Sequence, residues 1–244
     1  KEQTKISSFL SKIDARITAQ SKILLHLKSL IESLNDSLSE QKIRINSNSE
    51  NWKKVRLRDL GYTFNGLSGK TKEDFGQGKK YIQYKQIFDY STIAIENCGY
   101  VMVSENENQN NVKYGDIFFT TSSETPDEIG MSSVLLEDVK DVYLNSFCFG
   151  FRLNSFEKML PEFARFLFRS KVVRNEIKKL AQGSTRYNMS KTELLKLEIL
   201  LPSIKEQKEI STFLGSLYQK IQTEKAILEQ LEMQKKYLLQ QMFV

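Results

Sequence analysis

The amino-acid sequence predicts an α+β fold: one mixed α/β domain flanked by two long helices that pair as an antiparallel coiled coil. Three observations carry this. The first 39 residues recur 204 positions later, so that KEQTKISSFLSKI lies on KEQKEISTFLGSL, with 12 identities in 39 ungapped positions. Both copies keep a sustained heptad pattern of mostly apolar residues, the mark of helices that pack along one seam. Between them, short β-rich runs alternate irregularly with amphipathic segments, the pattern of an α+β domain rather than of a parallel sheet. A repeat at both ends assigns one task to the ends and another to the middle.

The first element, residues 1–45, places Ile6, Leu10, Ile13, Ile17, Gln20, Leu24, Leu27, Ile31, Leu34 and Leu38 at alternating steps of four and three. At 1.5 Å per residue such a helix reaches roughly 60 Å, and the spacing predicts that it ends near Arg44. The matching positions of the last element, 202–244, are Ile210, Leu214, Leu217, Ile221, Glu224, Leu228, Leu231, Lys235, Leu238 and Met242. Gln20 and Glu224 are equivalent in the two copies, and a polar residue in one core layer fixes register at some cost in stability. Residues 46–51 are polar and read as a linker. Pro202 and Ser203 open the last helix, with Ser203 and Glu206 at capping-box spacing.

The middle domain, 52–201, is predicted to hold strands at Tyr81–Ile87, Asp116–Thr121, Met131–Leu136, Ser146–Leu153 and Lys196–Leu201. In the fourth of these the aromatics Phe147, Phe149 and Phe151 alternate. Helices are predicted over 160–168, where Pro161 suits a first helical turn, and over Val172–Ala181. Gly76-Gln77-Gly78 reads as a turn, because Lys79-Lys80 follows instead of the glycine that a dinucleotide loop requires.

Composition narrows the function. The net charge is +6, a mild excess consistent with a polyanionic partner, and it is uneven. Residues 163–196 hold nine Lys or Arg against Glu176 and Glu193, while 104–141 hold nine Asp or Glu against Lys113 and Lys140. The single histidine, His26, excludes a His-rich metal site and a Ser-His-Asp triad in the middle domain. The two cysteines, Cys98 and Cys148, sit in apolar surroundings and read as buried thiols of a reducing cytosol. No Cys-x-x-Cys pair, Walker motif or membrane-length apolar run is present, and a cytoplasmic protein is expected.

The middle domain offers residues for two chemistries. Asp127 followed by Asp138-Val139-Lys140 fits a loose metal-dependent nuclease pattern, which needs two carboxylates sharing Mg²⁺ on adjacent strands and a lysine near the attacking water. The string lies in the most acidic stretch, among Glu124, Glu128 and Glu137, and is short enough to arise by chance. Nucleic-acid binding draws on four segments. These are Ser68, Lys70 and Lys72 in a Gly/Ser loop; Lys79, Lys80, Gln83, Tyr84 and Lys85; the hydroxyls Thr121, Ser122 and Ser123 leaving a strand; and Ser184, Thr185, Arg186, Tyr187 and Asn188 after Gly183. Lysines and hydroxyls position a protein on phosphates, whereas Arg, Asn and Gln can read base edges bidentately. A coiled-coil adaptor without a DNA role is the remaining alternative.

Four strings resemble one family. LLPSIKEQKEISTFL (200–214) is similar to the segment opening the repeated helices of type I restriction–modification specificity subunits, and GDIFFTTSSE (115–124) to one of their target-recognition strand-loops. GSTRYNMS (183–190) resembles the loop before the last strand, and Trp52 with VRLRDL (55–60) the start of such a domain. The resemblance covers essentially the whole chain. Subunits of that family carry two target-recognition domains separated by two antiparallel conserved helices. This chain, with one domain and two helices, resembles a C-terminal half cut inside a repeat, and a segment upstream of Lys1 is expected. The resemblance implies a non-catalytic subunit whose domain reads one half of a split target in double-stranded DNA while the helices act as a ruler. It implies docking of methyltransferase subunits on the helices, joined by a restriction and translocase subunit. S-adenosylmethionine, ATP and Mg are then expected on those partners and no cofactor on this chain. Self-association of the half-subunit through its coiled coil is left open.

Overall fold

The computed structural model describes residues 2–45 and 50–242; most of the linker expected at 46–51 lies outside the described residues. The chain divides into two compact units, Lys1–Ser37 with Thr212–Val244, and Leu38–Ser211. In chain order the elements are α1 (Glu2–Ser39), β1 (Lys53–Arg56), β2 (Gly61–Asn65), β3 (Phe75–Ile82), α2 (Tyr84–Asp89), β4 (Gly99–Val101), β5 (Ile117–Thr120), β6 (Ser122–Ser123), β7 (Ser132–Val134), β8 (Tyr143–Leu144), β9 (Cys148–Leu153), α3 (Pro161–Leu167), α4 (Lys171–Lys178), β10 (Tyr187–Asn188), α5 (Lys191–Lys196), β11 (Glu198–Leu201) and α6 (Ile204–Met242).

In the first unit α1 and α6 run antiparallel. Asp14 meets Lys235 at 2.6 Å, and Gln20 donates to the Glu224 carbonyl at 2.9 Å and to the Glu224 carboxylate, so numbers rise on one helix as they fall on the other. Leu24, Ile31 and Ile221 form the buried seam, joined by half-buried Leu27, Leu217 and Leu228. Ile13, Leu214 and Leu231 are buried as well, and Leu10, Ile17, Leu34 and Leu238 are half-buried. Two expected interface residues depart from the seam. Ile6 is 40% exposed, because an end layer has a neighbouring layer on one side only. Ile210, although buried, belongs to the second unit. The contact between Gln20 and Glu224 has a symmetry meaning: in an antiparallel pair of repeat copies, a residue meets its own equivalent only at the twofold axis. The polar layer therefore marks the centre of the pair.

The second unit is built on the antiparallel sheet β2-β9-β5-β7. Phe118, Phe119, Phe149 and Phe151 are almost wholly buried on it. Phe119 stacks on Phe149 at 5.6 Å and meets Phe168 edge-on at 5.2 Å. Gly150 is a glycine because a Cβ there would fall on the Phe64 ring. A second sheet, β4-β3-β8, joins β3 to β4 antiparallel and to β8 parallel. Strand β1 pairs with β11 and closes the domain on itself. Asp116 and Arg152 form a buried bidentate pair at 2.7 Å, with the Lys113 N–H donating to the same carboxylate, so the buried charges are compensated. Cys98 and Cys148 are buried free thiols in one apolar cluster, and burial pushes both thiol pKa values up.

Several expected elements are revised. Helix α1 stops at Ser39 rather than near Arg44, where the Gln41 N–H turns back to the Leu38 carbonyl with Gln41 in the left-handed region. The strand expected over Tyr81–Ile87 ends at Ile82 and becomes α2, whose helical spacing stacks Tyr84 on Phe88. Gly76-Gln77-Gly78 is no turn but the interior of β3. Phe75 and Lys79 both oppose Val101 there, a bulge supported by positive φ at both glycines. Helix α5, not foreseen, takes the start of the strand expected from Lys196. Helix α4 closes at Lys178, the Leu180 and Ala181 N–H groups bonding back in turns. At the start of α6 only half of the capping box forms. The Glu206 N–H bonds Ser203 Oγ at 3.3 Å, while the Glu206 carboxylate holds Arg44 at 2.9 Å.

Candidate nucleic-acid interface

The turn 145–147, between β8 and β9, is where the segments suspected of DNA contact meet. It is held by its own residues: Asn145 Oδ1 accepts the Phe147 N–H at 2.8 Å, and the Asn145 carbonyl accepts the Cys148 N–H at 3.1 Å, a local asparagine turn. From it, backbone bonds lead outward. The Asn145 N–H donates to the Ile82 carbonyl at 3.0 Å, beside Gln83 and Tyr84. The Leu67 N–H donates to the Leu144 carbonyl at 2.8 Å, beside Ser68. The Thr121 N–H donates to the Phe147 carbonyl at 3.0 Å, and Thr121 in turn accepts from Met189 at 2.9 Å. Strand β10 then pairs with β6, Tyr187 opposite Ser123 and Asn188 opposite Ser122. Tyr84 Oη donates to the Ser122 carbonyl at 2.9 Å. Four segments scattered from residue 66 to 188 are thus joined around one short turn.

Within them, exposure separates the available side chains from the committed ones. Ser184, Thr185, Arg186 and Asn188 are exposed and Tyr187 is half-buried. Their hairpin is closed by reciprocal bonds between Gln182 and Asn188 of 3.0 and 2.9 Å. Gln83, Ser68 and Lys72 are exposed and Thr121 is half-buried. Lys85 is exposed and reaches Asp89 at 2.8 Å one helical turn on, and Lys79 reaches Asp141 at 3.4 Å. Other residues proposed from sequence are turned inward. The Lys70 ammonium, with its side chain 6% exposed, is 2.6 Å from Glu107, and Lys80 donates to the Ile95 carbonyl at 3.1 Å. Ser122 and Ser123 are buried in β6, Ser123 Oγ donating to Thr125 at 2.6 Å. Burial also raises the Tyr84 hydroxyl pKa. Lys70, together with the Ser104 N–H and Gln109, lowers the Glu107 carboxyl to about 2.

The basic run 163–196 is largely used inside the domain. Arg169 caps the carbonyls of Ile87, Phe88, Tyr90 and Ser132. Buried Arg174 caps those of Asp127, Ile129 and Gly130. Burial lowers the Arg174 pKa to about 10. Lys178 pairs with Asp127, Lys179 with Glu176, Lys196 with Glu193, and Lys191 donates to Asn65. Arg186 keeps its guanidinium free of hydrogen-bonded or ion-paired partners among the described residues. The nuclease arrangement is not built. Asp127 lies on a one-turn helix and holds Lys178 at 2.7 Å, Asp138 and Lys140 follow in a loop, and neither carboxylate is on a strand. Among the described residues no group of three acidic, His or Cys side chains could hold a metal ion.

Sequence reading missed the turn 145–147, although the Asn-Ser pair before Phe147 was a signal for it. Alternation placed Phe147 in a strand with Phe149 and Phe151, yet β9 begins at Cys148 and Phe147 is 62% exposed.

An α+β domain with polar loops joined near one turn is continuous in sequence with a pair of repeated antiparallel helices. The chain belongs to the type I restriction modification DNA specificity domain family, whose model matches residues 49–233. Three solved structures share the fold. The type I restriction–modification S subunit from M. genitalium aligns with a TM-score of 0.63 at 16% identity, covering 100% of this chain and 61% of that one. The HsdS subunit from Thermoanaerobacter tengcongensis gives 0.57 at 14% identity, covering 98% and 56%. A chain from work on complex assembly and conformational transition of the type I R-M system gives 0.59 at 15% identity, covering 98% and 58%. The chain thus spans 56–61% of the length of these proteins.

Proposed function

We propose that this chain is a non-catalytic, DNA-reading part of a type I specificity subunit, its domain reading one half of a bipartite target in double-stranded DNA. The convergence of four segments on the turn 145–147 carries the reading. It assembles Arg186 and Asn188, able to bond base edges, with Gln83, Thr121 and Ser68 from distant parts of the chain. Family membership supports it. The paired helices act as the spacer between half-sites, and they dock methyltransferase subunits, which bring S-adenosylmethionine chemistry. A restriction and translocase subunit supplies the ATP- and Mg-dependent steps, all in the cytoplasm. Two weak readers on a stiff spacer gain by effective concentration when the spacer matches the half-site separation, which gives a long helical pair its purpose. A second copy of the chain, paired through the same helices, would supply the second reader.

The test is selection from random double-stranded oligonucleotides by the chain with its methyltransferase partner at two salt concentrations. Enrichment of a short defined half-site that persists at the higher salt supports the proposal. Recovery of random sequence that vanishes with salt overturns it in favour of a coiled-coil adaptor, since contacts to phosphate alone carry no sequence and fall steeply with salt.

A further inference from the structure

We infer that Phe147 is a specificity residue that places its ring against a base of the half-site; the inference rests on the DNA-reading proposal above. A single exposed apolar side chain is ordinary on a protein surface, so exposure alone does not carry this. Position and rigidity do. Phe147 is 62% exposed and sits on a turn whose backbone bonds Ile82 and Thr121, with Leu67 bonded to Leu144 just before it and the 183–188 loop joined to Thr121 through Met189. Its backbone is held on both sides: its N–H by Asn145 Oδ1 at 2.8 Å, its carbonyl by the Thr121 N–H at 3.0 Å, and the next N–H by the Asn145 carbonyl at 3.1 Å. The neighbouring residues Cys148 and Phe149 are fixed in the core, 3% and 1% exposed. The turn thus holds the backbone of a large exposed apolar residue next to segments that carry polar side chains, while Phe149 and Phe151 of the same alternation are used for packing.

Such a ring has two ways to meet a base. It can lie against a thymine methyl, the one apolar group on a base edge in the major groove, or stack on a base, as inserted apolar side chains do when they unstack a step. Both are apolar contacts to a base, and neither involves a phosphate. The contact should therefore add affinity and selectivity at one position without adding to the salt dependence.

The experiment repeats the selection with Phe147→Ala and Phe147→Leu beside the wild type, each with the methyltransferase partner, and then measures binding to the wild-type half-site across salt concentrations. Thermal melting should be unchanged in both variants, because the side chain is outside the core. Phe147→Ala is expected to lose preference at one position and to bind on the order of tenfold more weakly, the scale of one base–aromatic contact. The slope of log affinity against log salt should stay the same. Phe147→Leu should fall between alanine and wild type. Uracil in place of thymine at the affected position distinguishes the two modes: equal loss in the wild type identifies the methyl contact, and no loss identifies stacking. An unchanged half-site and affinity in Phe147→Ala overturns the inference while leaving DNA reading intact. A wild type that enriches no half-site overturns the DNA-reading proposal itself, and this inference with it.

Discussion

Lys70 and Arg186 are both basic residues in Gly-led loops, yet the fold gives them opposite uses. Lys70 is turned inward onto Glu107, and the consequence can be measured. The Glu107 carboxyl titrates near 2 instead of its ordinary 4.5, chiefly because Lys70 bonds it. A carboxylate depressed in the folded state contributes its stability above its unfolded value and loses it as pH falls. The tie between the 66–72 and 104–109 loops should therefore be intact above pH 4.5 and released as pH falls toward 2. Carbon-13 NMR titration of Glu107 should give a midpoint near 2 in the wild type, moving up toward 4.5 in Lys70→Ala. Gly150 makes a second prediction at this scale. An added methyl falls on the Phe64 ring, so Gly150→Ala should lower stability by about 1–3 kcal/mol through overpacking, read as a lower urea midpoint at unchanged slope. Neither Lys70 nor Gly150 could be assigned from sequence, because a residue type does not say which neighbour the fold will bring.

Among the elements, heptad spacing indicated the seam on which Leu24, Ile31 and Ile221 are buried, since apolar residues every three or four positions share one face of a helix. It also foretold the polar layer, and the structure adds that Gln20 and Glu224 meet at the twofold centre of the repeat. Replacing both by leucine should raise the stability of the helix pair by on the order of 1 kcal/mol while relaxing its register. Glu224→Leu alone should leave the Gln20 amide only the backbone carbonyl of residue 224 and fall below the double variant. Thermal unfolding followed by circular dichroism compares the stabilities, and cysteine cross-linking at Asp14 and Lys235 reports register. In the domain, the core strands β5 and β9 were legible from their aromatic runs. Helix α2 and the bulge of β3 were not. Tyr84 read as a strand residue until helical spacing stacked it on Phe88 in α2, and Gly76 and Gly78 read as a turn until pairing with β4 drew them into a bulge. In both, tertiary packing and pairing outweigh local preference.

Across the whole molecule, charge is the quantity that sequence misrepresents most. The run 163–196 carries a large basic excess, but Arg169 and Arg174 cap backbone carbonyls and the lysines from 178 on are paired with carboxylates or Asn65. Two arginines twelve positions apart should then behave oppositely. Arg186→Ala should leave the melting temperature unchanged, weaken half-site binding by about 1–3 kcal/mol, and relax selection at one position. Arg174→Ala should lower the melting temperature sharply, because three carbonyls, those of Ile129 and Gly130 buried, lose their donor. Parallel melting and binding curves check both.

The sequence by itself determined that two repeated helices pair antiparallel around a polar layer, that an α+β domain lies between them, and which family the chain resembles. Periodicity and repetition are properties of the chain alone, so they could be read there. Only the tertiary structure decided which side chains of the domain remain available to a ligand. Availability depends on partners tens of residues away: Glu107 for Lys70, the paired strand for Ser122 and Ser123, and the Asn145 turn that lifts Phe147 out of a strand its spacing had assigned it to.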